Sequence, residues 1–436
     1  MPFRPGQGRP PRDGRPPFTD RLTDRWLTVG GIATSLGFVV VAAASVLVPD
    51  SVRHGDWLPL HLLLAGAATT AIASVAPFFS AASAAAPPAD PRVRAAAILL
   101  VAGGAAAVTT GVTTGSSSLA AGGGLLFIAG CVALLAASVT PHRRSLTGHR
   151  RYVLVTYGAA VSYVLVGASL ATLYVAGWAP IVEVWGSIKP AHATLNLLGF
   201  VSLMIAGTLL HFYPTVVGAR IAAGRPARIA MVGLVGGPPL ISAGFAFGST
   251  PLGTVGAVVE LFGAVALAAH ARTLWRVRAR WTTDPGWHRL TIGSLTLAYG
   301  WFILGIAALG GRIVAMGADP AGWSIDPLIG PLAVGWVLQV LLGSATHLVP
   351  AVGPGDQAAH ARQRAILGRL ATRRLVAFQV GTGFLSLGLV AGLPALIDGG
   401  IVTLSSVILV TIGLLATAVA VGVGRATART VVRSDS

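Results

Sequence analysis

The chain has 436 residues, of which 54% are hydrophobic and only 10% charged, and it carries a formal net charge of +17. Soluble domains hold roughly 45–50% apolar and about 25% charged residues, so a water-soluble fold is excluded, and the apolar runs leave no room for a separate soluble domain. So basic a chain would suggest nucleic acid as a partner, but the basic residues sit in alternate loops between apolar runs, which points to membrane topology and to no nucleic acid.

Residues 1–25 are rich in Arg, Pro and Gly and hold no apolar stretch or cleavage site, so they read as a disordered basic cytoplasmic tail and not as a signal peptide. From Trp26 onward about twelve stretches reach the roughly 20 apolar residues that cross a bilayer. They fall near 26–48, 58–80, 94–112, 118–140, 152–177, 192–216, 228–248, 252–274, 290–316, 327–351, 375–395 and 401–423. Pro238 and Pro239 should kink the seventh. The third, fourth and twelfth are rich in Gly and Ala, as close helix packing in lipid permits. Residues 424–436 read as a second cytoplasmic tail.

Of the 31 basic residues, all but Arg53, Lys189 and Arg312 fall in the tails and the loops of one side. The positive-inside rule then places both termini in the cytoplasm. Lys189 is the only lysine, and arginine in so Ala/Gly-rich a chain suggests a high-GC bacterial genome. The expected whole is an all-α, multi-pass protein of a bacterial inner membrane, with residues 26–423 as one transmembrane domain in the lipid bilayer. Cysteines introduced at Ser116 and Thr250 should react with a membrane-impermeant reagent from outside intact cells, and one at Ser145 should not. Labelling at Ser145 would reverse the orientation.

An internal repeat carries the histidines. Gly207, His211 and Pro214 in the sixth span recur at the same spacing as Gly343, His347 and Pro350 in the tenth. Aligning Gly66, Gly199 and Gly335 brings in the second span, with Phe78 level with His211 and His347, and His61 level with Thr194 and Gly330. His192 stands two residues before Thr194. Helices four spans apart run in the same direction, which suggests three arcs of four helices about a pseudo-threefold axis. His192 and His211 lie about 28 Å apart along one helix, so two layers follow, His61 with His192 and His211 with His347.

Imidazoles on different helices at similar depth can supply both axial ligands of a haem iron or part of a copper site. The plain alternative is that they cap helix ends and bind carbonyls. A glycine one turn before His211 and His347 leaves room for a flat ligand or for a close helix. Glu260 is the one acid well inside a span, and as an ion it would cost about 2.5–3.5 kcal/mol there, so it must be protonated, paired or wet. The single cysteine, Cys131, reads as packing, and His54, His142, His149, His270, His288 and His360 as solvated or structural. P-loop, dinucleotide-turn and His-Glu-x-x-His motifs are absent from the sequence.

The stretches from His61 to Gly66, Ala191 to Gly199, Gly207 to Pro214 and Gln339 to Pro350 resemble subunit I of the haem–copper oxidases. They are closer to the subunit-I-like membrane modules joined to copper nitrite reductase or multicopper oxidase domains. The resemblance covers about a sixth of the chain. It implies the twelve-helix, pseudo-threefold fold, gives His61 the place of a low-spin haem ligand, and implies a copper-containing periplasmic oxidoreductase as partner. Thr194 and Phe78 stand where relatives often carry histidine. The seventh span lacks a histidine pair and the tenth has none at its outer end, so the chain is not expected to reduce oxygen by itself.

The expected function is electron transfer, or nitrogen-oxide or copper handling, through a metal cofactor, haem b ahead of copper, bound by two of His61, His192, His211 and His347. The alternative is a metal-free transporter or structural subunit in which the histidines and Glu260 line a proton or solute path.

Overall fold

The computed structural model describes residues 18–145, 151–221, 224–283 and 286–434. Twelve helices among them are long and apolar enough to cross a membrane: Trp26–Ser45, Trp57–Ala84, Pro91–Thr113, Ser117–Arg144, Tyr152–Val175, Trp185–Val217, Arg225–Ala246, Thr250–Arg276, Trp287–Met316, Asp326–Val352, Ala371–Ala391 and Pro394–Gly424. Each matches a span expected from hydropathy. The ends move by several residues, because helix continues wherever backbone bonding and packing allow, past the point where hydropathy falls.

The first helix begins at Phe18, so the end of the expected disordered tail is helical. Residues 1–17, with the rest of that tail, and His149 lie outside the described residues. The last helix runs on to Ser434, through most of the expected second tail. An additional short helix, Gln357–Leu367, joins the tenth and eleventh spans. It buries Ala359, Gln363 and Leu367, one residue per turn, and Asp356 caps it by accepting from the Ala359 N–H at 2.8 Å.

The second, sixth and tenth spans form the middle of the bundle. Their most apolar windows are 67%, 83% and 83% buried, against 56% or less for every other span. Each carries a π-helical stretch at an equivalent place, Leu62–Ala68, Leu195–Ser202 and Ile329–Leu338, and each stretch contacts the other two. Long π-helical runs are rare and gather at functional sites.

The aligned glycines fall inside these stretches. A Cβ on Gly66, Gly199 or Gly335 would run into an aromatic ring from the preceding span, Phe38, Tyr163 and Trp301 respectively. One ring-into-glycine contact is thus made three times by three different aromatic residues, as three arcs about one axis require.

The periphery repeats as well. In each group of four the last two spans pack through glycine: Gly104 on Phe127, Gly233 on Gly263 and Gly388 on Ile397. Such small-residue seams are how helices associate in lipid, where no hydrophobic force drives them together. Pro238 and Pro239 sit inside a helix that runs unbroken from Arg225 to Ala246. Pro239 has no N–H for the carbonyl of Val235, and the Tyr163 hydroxyl donates to that oxygen at 2.6 Å.

Candidate functional site

The second span opens with a short α-helical segment, Trp57–His61, just before its π-helical stretch. The His61 ring turns back on this segment, with Nδ1 2.7 Å from the Trp57 carbonyl oxygen and the Trp57 indole stacked on it at 4.2 Å. A carbonyl only accepts, so Nδ1 carries the proton and Nε2 keeps its lone pair.

The sixth span begins at Trp185, so His192 lies seven residues inside it and not at its start. Its Nδ1 is 2.8 Å from the carbonyl oxygen of Gly167 in the fifth span. Asn196 also approaches Nδ1, at 3.0 Å, but its amide donates to the His192 carbonyl at 2.8 Å, so the Gly167 bond sets the tautomer and Nε2 is again the lone-pair nitrogen.

The two rings are neighbours. Their centroids are 6.4 Å apart and their planes differ by 12°. The two-residue offset of His192, about 200° around a regular helix, does not turn it away. Helices related by rotation about a threefold axis meet through unlike sides away from the axis, where residues of different register touch, and through equivalent residues only at the axis, as Phe79 and Phe212 do at 5.5 Å. Thr194, the true equivalent of His61, is buried and donates to the Pro190 carbonyl at 2.9 Å.

The other two candidates, His211 and His347, occupy equivalent registers and pack on different aromatic rings. His211 packs 5.7 Å from Tyr152 of the fifth span, and His347 packs 5.0 Å from Trp287 of the ninth, while the ring that meets His347 from the sixth span is Phe212, at 5.4 Å. The glycines one turn earlier make room for a helix and not for a flat ligand. A Cβ on Gly207 would come within 2.8 Å of Thr156, and one on Gly343 within 2.8 Å of Ser294.

Two neighbouring neutral imidazoles, each with a free Nε2, are the kind of ligand pair that could hold one metal ion. A carbonyl on each Nδ1–H is the outer partner that orients metal-binding histidines. Trp57 on His61 and Trp185, 5.9 Å from His192, wall the pair, and Tyr174 stacks on Trp185 at 4.1 Å. So close a wall suits a bare ion better than a porphyrin plate. No group of three or more His, Cys, Asp or Glu residues is placed to hold a metal among the described residues.

Just beyond His61, Asp56 lies 3.8 Å from Arg53, which also pairs with Asp50 at 3.2 Å. Burial, and then the charge of Asp326, hold the Asp56 carboxyl above its usual range against the pull of Arg53. Sequence reasoning did not single out these acids as neighbours of the histidines, because Asp326 reaches them only through the fold.

Glu260 is elsewhere, in the seam between the seventh and eighth spans, fully buried against Gly237, and neither carboxyl oxygen has a hydrogen-bond partner. Along the axis, from the π-helical stretches toward the arginine-rich end, lies an apolar cavity of about 90 Å³ lined by Ile32, Ala68, Met204, Phe212, Val337 and Leu348 among others.

Set against known protein families and curated proteins, the chain matches no family model and no curated protein.

Proposed function

We propose that this chain is an integral membrane metalloprotein that holds one metal between His61 and His192 and serves electron transfer, or copper or nitrogen-oxide handling. The observation that carries this reading is the adjacent, near-parallel pair with both Nδ1–H groups held by carbonyls, which leaves each Nε2 free. Copper stands ahead of haem b as the occupant, because the pair is closely walled by aromatic rings and neutral imidazole suits copper without further protein ligands of charge.

His61 and His192 each offer Nε2. The Trp57 and Gly167 carbonyls keep the rings from turning, Trp57 and Trp185 restrict water, and Asp50, Asp56 and Asp326 make the approach attractive to cations. When bound, copper supplies one-electron exchange. Under the orientation read from the arginines, this end faces the periplasm of a bacterial inner membrane, where a copper-containing oxidoreductase could dock.

Metal analysis and an absorption spectrum of the purified chain test the reading together. The expected result is about one copper per chain, as two imidazoles can hold only a single ion between them. A Soret band would reassign the pair to haem b, and neither copper nor haem would sink the metal reading. In that case Glu260 would favour the second reading, a transporter or structural subunit. Against an axial solute path stands the apolar lining of the central cavity.

A further inference from the structure

A second cavity, about 20 Å³, lies among the ninth, tenth, eleventh and twelfth spans, away from the histidine pair. A buried space needs about 10–15 Å³ to hold one water, so it has room for a single small occupant. Its lining is unlike that of the central cavity. Ser294, Gln339, Thr346, Arg374 and Thr411 supply polar groups between Leu342, Leu375 and Phe378.

Arg374 is the unusual member. It belongs to the first turn of the eleventh span and is 3% exposed. Its guanidinium donates to the carbonyls of Leu367 and of Arg369, the latter at 3.1 Å, and reaches the Thr411 hydroxyl only at 3.5 Å. All three acceptors are neutral, and among the described residues no carboxylate pairs with it. A buried cation in a membrane protein is costly unless its charge is met.

Gln339 is the independent observation. It is 2% exposed in the middle of the tenth span, it lines this cavity, and neither its amide nitrogen nor its amide oxygen has a partner. Buried amides are nearly always hydrogen-bonded, and one that is not usually marks a missing occupant. The groups that can act on that occupant are the Gln339 amide, through its N–H groups and its oxygen, and the Arg374 Nη1 group and Thr411 hydroxyl, whose contact with each other is long at 3.5 Å. The Thr346 hydroxyl is already used on the Leu342 carbonyl at 2.8 Å.

We infer that the cavity binds one monovalent inorganic anion of halide size, which neutralises Arg374 and accepts from Gln339. A water would satisfy the amide but leave the charge met only by the carbonyls at the end of the helix Gln357–Leu367 and by a hydroxyl. The anion would also tie the start of the eleventh span to the middle of the tenth, the span whose outer half lies beside the histidine site's acidic approach through Asp326.

The test is thermal unfolding of the full chain in lipid nanodiscs with sodium chloride or bromide, against sodium gluconate at equal ionic strength. Halide is expected to raise the midpoint saturably, as any ligand of the folded state does. Gln339→Leu and Thr411→Val should each weaken the apparent halide affinity about tenfold, and Arg374→Gln should abolish the response. Should those variants fail to fold, the wild-type chain crystallised in bromide decides alone, with an anomalous peak expected between Gln339 and Arg374. Equal midpoints in halide and gluconate, an unchanged response in folded Gln339→Leu, or no anomalous peak in bromide would each overturn the proposal and leave a water in the cavity.

Discussion

Alanine at His61 or at His192 is expected to lower copper affinity at least about a hundredfold, more than the 10–100-fold typical of losing an outer partner of a ligand. One imidazole cannot replace the pair, and no third histidine or carboxylate completes a cluster there among the described residues. His211→Ala and His347→Ala should keep the metal, since their rings pack on Tyr152 and on Trp287 and Phe212. Competition with a copper(I) chelator measures all four. Both outer rings are largely buried and each holds a backbone carbonyl, so their loss should also cost about 1–3 kcal/mol of stability, and affinity is compared among folded variants only. Retention of full affinity in the His61 or His192 variants, or its loss in His211→Ala, would move the site.

Gly233→Ala is expected to be strongly destabilising at the seam between the seventh and eighth spans. The added Cβ would stand 2.6 Å from the Gly263 Cα and 2.8 Å from the Val259 carbonyl oxygen. Both are backbone atoms that no rotamer change can move, so the helices must part along their length. Overpacking usually costs about 1–3 kcal/mol, and a backbone clash belongs at or above the top of that range, which is about 3 °C or more in midpoint for a chain of this size. Gly236→Ala is the control one turn away. Its Cβ would meet only Val259 Cγ1 at 3.7 Å, an ordinary contact, and alanine is the better helix former by about 1 kcal/mol. Thermal unfolding in one detergent separates them. Equal midpoints would show that this seam does not hold the two spans together.

The two layers of histidines illustrate what register can and cannot say. Depth along a helix follows from counting residues, so His61 and His192 were correctly placed at one end and His211 and His347 at the other. Which residues meet does not follow from counting. Around a rotation axis equivalent residues meet only if they point at the axis, as Phe79 and Phe212 do, and away from it each helix offers a different side to its neighbour; His211 and His347 pack on different rings while the offset His61 and His192 are neighbours. The π-helical stretches were equally hidden, because nothing in Leu62–Ala68 or Ile329–Leu338 departs from an ordinary apolar run, and an extra residue per turn is chosen by packing.

By itself the sequence determined the number of spans, their alternating direction and the threefold repeat. Each of these rests on a local cost, apolar length against bilayer thickness or arginine against hydrocarbon, that no partner helix can cancel. Only the tertiary structure decided which aromatic ring fills Gly66, Gly199 and Gly335, which histidines are neighbours, that Asp326 comes to the mouth beside Asp56, and that Gln339 and Arg374 share a cavity. These are contacts between residues from about thirty to several hundred positions apart in the chain. They depend on how each helix is rotated about its own axis, and that rotation is fixed by the packing of small residues against large ones across the whole bundle.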